Sequence, residues 1–278
     1  MTAMPDPLVR LSHEELQGRT TIAVLTFQDP ERLNAMTEAM GGALADHVTQ
    51  LRRDQSLRAV VLTGSGRAFS AGGDLGMIGA RAASGSSGPA GPPRRANRDS
   101  MRAFYKLFLS VRDLPCPTVA AVNGAAIGAG FCVALACDLR VAALDAKLAL
   151  NFTRIGIHPG MAATWILPRL VGPALAAELL FTGRILNGEE AVQIGLVNRA
   201  VPREDVLREA LALARACATS APRAVRGAKR ALRRSLAVSL EDQLSFEAER
   251  QAECFESDDL KEGIAAVREK REPVFGDE

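Results

Sequence analysis

Two short glycine-bearing stretches carry the chemistry that can be read from the residues. The first is Arg67-Ala68-Phe69-Ser70-Ala71-Gly72-Gly73-Asp74-Leu75, and the second is Ala121-Val122-Asn123-Gly124-Ala125-Ala126-Ile127-Gly128-Ala129-Gly130. Each follows an apolar strand pattern and leads into a helical one. Small side chains let a backbone approach a ligand closely. The first N–H groups of a helix have no partner inside it, and the helix dipole favours negative charge in front of them. Asp74 has the type and place of a helix cap. Taken singly, either turn reads equally well as tight strand-to-helix packing. Other catalytic signatures are missing. There is no Gly-x-Ser-x-Gly nucleophile turn and no phosphate loop ending in Gly-Lys-Ser/Thr, and Gly128-Ala129-Gly130 fails the Gly-x-Gly-x-x-Gly pattern at Val133.

The elements that must hold these turns alternate in type. Thr21 to Phe27 is a strand pattern ended by Asp29-Pro30, and Thr37 caps a helix through about Arg53. Strands are predicted over Arg58–Thr63 and Val119–Val122, a helix from about Ala129 to Ala136, and short strands over Leu139–Ala142 and Leu148–Leu150. Residues 81–100, dominated by Gly, Ser, Ala and Pro, read as a flexible loop, an insertion that contributes in part as a lid. From Pro202 onward the pattern is helical: Glu204–Thr219, Pro222–Leu236, Leu240–Glu256 and Asp258–Lys270. A boundary between Ala200 and Arg203 separates a core, 1–201, from a C-terminal helical region, 202–278. The apolar stripe Leu236, Leu240, Leu244 suits burial against the same chain or another subunit.

Composition narrows the class. The chain has 278 residues, 47% hydrophobic and 24% charged, enough for one large domain or two with a core that needs no metal or disulfide. Lys and Arg number 34 against 32 Asp and Glu, and a net charge of +2 argues against a general nucleic-acid or anionic-membrane binder. There is no apolar run long enough for a transmembrane helix, and the N-terminus lacks the pattern of a secretory signal. Five cysteines without a Cys-x-x-Cys pair read as reduced thiols, and three histidines give no zinc site. The expectation is a soluble, metal-free, cytoplasmic protein.

In order along the chain, further segments join the two turns. They are Glu31-Arg32-Leu33-Asn34-Ala35-Met36, Ala68 to Leu75, Pro117 to Gly130, Ala136-Cys137-Asp138-Leu139, Gly156-Ile157-His158-Pro159-Gly160 and Leu167 to Gly172. Thr182-Gly183-Arg184, Gly195-Leu196-Val197-Asn198 and the ending Glu269 to Phe275 complete the set. Together they resemble the enoyl-CoA hydratase/isomerase, or crotonase, family over most of the chain. The resemblance implies an α/β fold, a spiral of strand-strand-helix turns with a helical C-terminal region that mediates trimers, which often pair into hexamers. It implies an acyl-CoA substrate, with coenzyme A arriving as part of it and no separate cofactor. It also implies two backbone N–H groups, carried over to Ala71 and Ala129, that hold the thioester oxygen and stabilise an enolate. By the same resemblance Ala71, Gly72, Gly73 and Asp74 line the adenine and pantetheine path, Gly128 and Phe152 bind substrate, and Arg32, Lys270 and Arg271 are candidates for the phosphates.

The sequence departs from the family where its hydratases place two glutamates. Those positions are Cys132 and Phe152, and 150–160 contains no Asp or Glu. This argues against simple hydration of an enoyl-CoA. The side chains left to take part are Cys132, near a helix start where a thiolate is favoured, His158, whose imidazole is a candidate acid or base, and Thr153, Arg154 and Asn151 beside the expected site. Tyr105 and Trp165 read as packing residues. The run Arg223, Arg226, Lys229, Arg230, Arg233, Arg234 reads as solvated or ion-paired helix faces. Two alternatives stand beside an enzyme: a non-catalytic acyl-CoA binder, and a nucleic-acid binder using that basic run.

Overall fold

A computed structural model describes residues 7–16, 21–85 and 94–276. The chain begins with β1 (Val9–Glu15) and β2 (Thr21–Phe27), paired antiparallel, followed by α1 (Glu38–Leu51). Thr37 caps α1, its hydroxyl accepting the Met40 amide at 3.2 Å. The chain then repeats one pattern three times. β3 (Leu57–Gly64), β5 (Thr118–Val122) and β7 (Leu139–Ala143) enter a six-stranded sheet, each followed at once by a short strand of a second, three-stranded sheet: β4 (Ala68–Ser70), β6 (Ala125–Ile127) and β8 (Leu148–Ala149). Helices close each turn. They are α2 (Leu75–Gly85) and α3 (Arg94–Leu109), then α4 (Ala129–Ala136), then a 3-10 helix (Asn151–Ile155) before α5 (Ala163–Val171). After α6 (Pro173–Thr182) and α7 (Gly188–Gln193), β9 (Arg199–Val201) finishes the large sheet, whose order is β1-β2-β3-β5-β7-β9. This is the strand-strand-helix spiral that the resemblance implied.

The residues explain the layering. β3 and β5 pair in parallel and are buried along their whole length, which is why their centres, Ala59–Leu62 and Val119–Val122, read as apolar runs rather than alternating ones. α4 is buried on every side, so it consists wholly of small and apolar residues. β1 has one open edge and an alternating exposure that its sequence, with Glu14 and Glu15, signals weakly.

One expectation changes. Residues 81–100 are not one loop: 81–85 end α2 and 94–100 begin α3, while 86–93 lie outside the described residues. Local composition is overridden there by tertiary anchors. Arg81 reaches Glu38 at 3.2 Å, the Ser100 hydroxyl at 3.1 Å and the Met101 sulfur, and α3 buries Phe104 and Phe108. The stretch after Ala200 also divides. α8 (Val206–Ala218) covers the large sheet and buries Val206, Ala210, Leu211, Ala214 and Ala218 in the common core, whereas α10 (Leu240–Phe255) buries no residue. Leu236, Leu240 and Leu244 are 69%, 76% and 50% exposed, so the described residues leave them largely uncovered.

The basic run on α9 (Pro222–Arg234) faces inward more than outward. Lys229 and Arg233 pair with Asp138 at 2.6 and 3.1 Å, Arg226 donates to the carbonyls of Gln55 and Leu57, and Arg234 lies over the Phe246 ring at 4.4 Å. Burial works to raise the Asp138 carboxyl, but Lys229, Arg233 and the Thr118 amide together hold it below the usual carboxylate range. No helix among the described residues is long and apolar enough to cross a membrane.

Candidate active site

The segment Pro30 to Met36 acts as a frame for the first glycine turn. Asn34 is fully buried with a left-handed backbone, φ 55°. Its side-chain amide donates to the carbonyls of Ser65 and Ala68 at 3.0 and 2.8 Å, and its oxygen accepts the Asp29 amide at 2.9 Å. Its own carbonyl accepts the Ser70 hydroxyl at 2.7 Å. Met36 then pairs with the turn: its N–H donates to Gly72 O at 2.8 Å, and its carbonyl accepts from Asp74 at 3.3 Å.

This frame decides which amide of the turn is open. The Ala71 N–H, expected to hold a substrate oxygen, donates to Leu33 O at 2.8 Å and is therefore committed to the protein. The Gly72 N–H goes to the Ser70 hydroxyl at 3.1 Å. The Gly73 N–H has no acceptor among the described residues. Within a trans peptide unit the C=O and N–H point in opposite directions. Because Gly72 O faces Met36, the Gly73 N–H is turned away from that frame. Ala71 is thus replaced, two residues on, by Gly73.

The second turn supplies a matching donor. Gly128 N–H donates to Ala149 O at 2.8 Å, fixing the turn on β8, and Gly128 O accepts the Cys132 amide at 3.1 Å as α4 begins. The Ala129 N–H, first in the helix, has no acceptor among the described residues and projects from its N-terminus. Two glycines press the turns together. Gly72, at φ 91°, lies so close to Ile127 that an added Cβ would collide with its carbonyl oxygen and stand 3.5 Å from the Ala129 nitrogen. A Cβ on Gly130 would strike Ser70 at 2.6 to 2.7 Å.

Both open amides line one cavity of about 930 Å³. Ala71, Gly72, Gly73, Asp74, Gly128 and Phe152, all expected at a substrate, line it too. Asp74 caps α2, accepting the Met77 amide at 2.8 Å. Arg32 sits at the rim, exposed, between Asp29 at 2.7 Å and Asp74 at 3.7 Å. Arg271 is held by Glu262 and Glu269, and neither it nor Lys270 lines the cavity.

The side-chain candidates separate. His158 lines the cavity, exposed, with Nδ1 2.8 Å from Pro159 O. Asn151 lines it as well, its Oδ1 facing Gly128. Thr153 is turned away, its hydroxyl donating to Leu180 O at 2.9 Å. Arg154 packs against Gly183, outside the cavity. Cys132 is fully buried behind the wall, with Sγ 3.8 Å from Gly160 O. Burial pushes its thiol far above the ordinary value, so the helix start does not yield a thiolate there. Tyr105, expected in the core, is only half-buried and lines the cavity. Its placement was hidden by its neighbours Phe104 and Phe108, which do point inward; its own amphipathic ring was the one available sign.

Comparison with known proteins agrees with this architecture. A profile of the enoyl-CoA hydratase/isomerase family matches residues 17–278. The chain is 35% identical over 265 residues to the 1,2-epoxyphenylacetyl-CoA isomerase of Escherichia coli, covering 95% of this chain and 97% of that one. It is 34% identical over 261 residues to the crotonyl-CoA hydratase of Syntrophomonas wolfei, covering 94% and 96%. The crystal structure of an enoyl-CoA hydratase from Bacillus anthracis superposes with a TM-score of 0.85 at 33% identity, over 96% of this chain and 99% of that one. With its spiral of paired strands and its two apposed glycine turns, the chain belongs to the enoyl-CoA hydratase/isomerase family.

Proposed function

We propose that the cavity receives the acyl end of an acyl-CoA, with the thioester oxygen between the N–H groups of Gly73 and Ala129, and that the protein is an enzyme working through the resulting enolate. The observation that carries this reading is the pair of acceptor-free amides, from distant parts of the chain, opening into one cavity. Charge that develops on a carbonyl oxygen is stabilised by fixed donors, and loss of one typically costs about 3–4 kcal/mol. The acyl group is apolar: Met101, Phe104, Phe152, Ile157 and Met161 line the same space. No carboxylate stands at 132 or 152, so the reaction is an isomerisation, decarboxylation or carbon–carbon cleavage rather than simple hydration.

Calorimetry tests the reading. Butyryl-CoA should bind at least tenfold more tightly than its thioether analogue, which has no carbonyl oxygen; equal affinities would remove the role given to the two amides. The missing carboxylates also favour a second reading, a binder that holds acyl-CoA without turning it over. Turnover of any member of an acyl-CoA panel decides against it. Five of the six cations in the run on α9, all but the exposed Arg230, are spent on the chain itself, which speaks against a nucleic-acid face. The uncovered leucines of 236–244 support assembly as a homotrimer or a dimer of trimers, and sedimentation velocity reads that state directly.

A further inference from the structure

The polar side chains around the cavity are unequal. Glu31, Arg32 and Arg67 are exposed, and Arg32 and Asp74 face each other. Arg81 is occupied by Glu38, Ser100 and Met101. The His158 ring rests on the carbonyl of Pro159 in an exposed position. Asn97, Asn151 and Tyr105 are half-buried and make no side-chain hydrogen bond among the described residues, and of these three Tyr105 alone can give up a proton.

Its place is set by a glycine. A Cβ built on Gly160 would collide with the Tyr105 hydroxyl oxygen. The ring of α3 therefore fills the volume that any side chain at 160 would take. Gly160 O in turn lies 3.8 Å from Cys132 Sγ, and Cys132 is one helical turn beyond the Ala129 amide. The hydroxyl is thus delivered to the wall of the cavity beside the open start of α4, at a position where the described residues offer it nothing to bind.

We propose that the Tyr105 hydroxyl is the proton donor to the acyl carbon of the enolate held by Gly73 and Ala129. The inference rests on the acyl-thioester site proposed above. In the step, the tyrosine O–H bond breaks and a Cα–H bond forms with the electron pair of the enolate, whose oxygen returns to a thioester carbonyl. The tyrosinate recovers its proton from water entering at the open mouth. Burial raises the phenol above its ordinary value, while Arg81 opposes it, so the group is protonated at neutral pH as a donor must be. The titratable and charged groups around it are Cys132 on α4, Arg81 on α2 and His158 on the segment before α5.

The reverse step provides a test that needs no knowledge of the natural substrate. A residue that protonates the enolate also removes the α-proton, so the protein should exchange the α-hydrogens of phenylacetyl-CoA, acidified by the ring, for deuterium in D₂O. Exchange should climb with pH toward the tyrosine titration, because removal needs the tyrosinate. Tyr105→Phe should lose at least about 100-fold in exchange rate and that pH dependence, with the Kd for phenylacetyl-CoA within threefold. Gly160→Ala, which displaces the hydroxyl but keeps it, should also lose exchange, and adding Tyr105→Phe to it should cost nothing more. The proposal is overturned if Tyr105→Phe exchanges within threefold of the unaltered protein, or if the unaltered protein binds phenylacetyl-CoA without exchange. Absence of any acyl-CoA binding in the calorimeter would instead sink the site itself.

Discussion

The turn from Ala71 to Asp74 and the segment from Asn151 to Met161 line the same cavity but are built by different means. The turn is fixed largely by backbone: Leu33 accepts the Ala71 amide, Met36 pairs with Gly72 O and the Asp74 amide, the Ser70 hydroxyl takes the Gly72 amide, and among the described residues the Gly73 N–H is left open. The opposite segment is fixed by packing. Phe152 is buried, Thr153 is tied to α6, and the ring nitrogen of His158 rests on its neighbour's carbonyl. Donors made of backbone need only small residues and survive wide change in side chains. Acid–base groups made of side chains are lost by single substitutions. The chain therefore retains the two open amides, to which we assign the charge on oxygen, while the residues that would handle protons are a matter of this sequence alone.

The comparison breaks most sharply at Gly72. An alanine there would place its methyl against the Ile127 carbonyl and would have to adopt φ 91°. The two turns would be pushed apart, and the Gly73 and Ala129 amides would no longer meet one oxygen. Gly72→Ala is expected to reduce α-hydrogen exchange by at least about 100-fold, the scale of losing one oxyanion donor. Circular dichroism should show the secondary structure retained. Exchange within threefold of the unaltered protein would show that the amides do not act together.

The side-chain wall should answer with a smaller change. Phe152→Ala removes an apolar face from the acyl end without touching the amides. Affinity for phenylacetyl-CoA should fall about tenfold, the order of 1–3 kcal/mol that burial of such a ring contributes. Free coenzyme A should bind as before, because Phe152 lies with the acyl group. Equal losses for both ligands, measured by calorimetry, would move Phe152 away from the acyl end.

The same contrast explains what the sequence revealed. The strands that carry the turns were legible because burial on both faces leaves apolar runs at their centres, as in β3 and β5. The caps at Thr37 and Asp74 were legible because their side chains act on amides a few residues away. The open amide of the first turn was placed two residues early, at Ala71. Which N–H stays free depends on Leu33 and Met36, more than 30 positions back, and no local pattern records that pairing. Helix at 81–85 and 94–100 was hidden by Gly- and Ser-rich composition, since the contacts of Arg81 with Glu38 and Met101 are tertiary. Tyr105 was assigned to the core for the same reason: its position is decided by Gly160, on a distant turn.

Cys132 provides the smallest effect and sharpens the contrast from inside the wall. By sequence it stands at a helix start, where a thiol is activated. By structure it is fully buried, and burial drives its ionisation out of reach. Among the described residues its sulfur makes one polar contact, a 3.8 Å approach to Gly160 O. Cys132→Ala therefore removes a small packed group and no chemistry. Exchange should stay within twofold, and stability measured by urea titration should fall by about 1 kcal/mol, as for loss of a small buried group. An activity loss of tenfold or more with the fold intact would mean that the sulfur reaches the substrate. In that case proton handling would pass from the tyrosine of α3 to the thiol of α4, and the backbone half of the site would be unaffected.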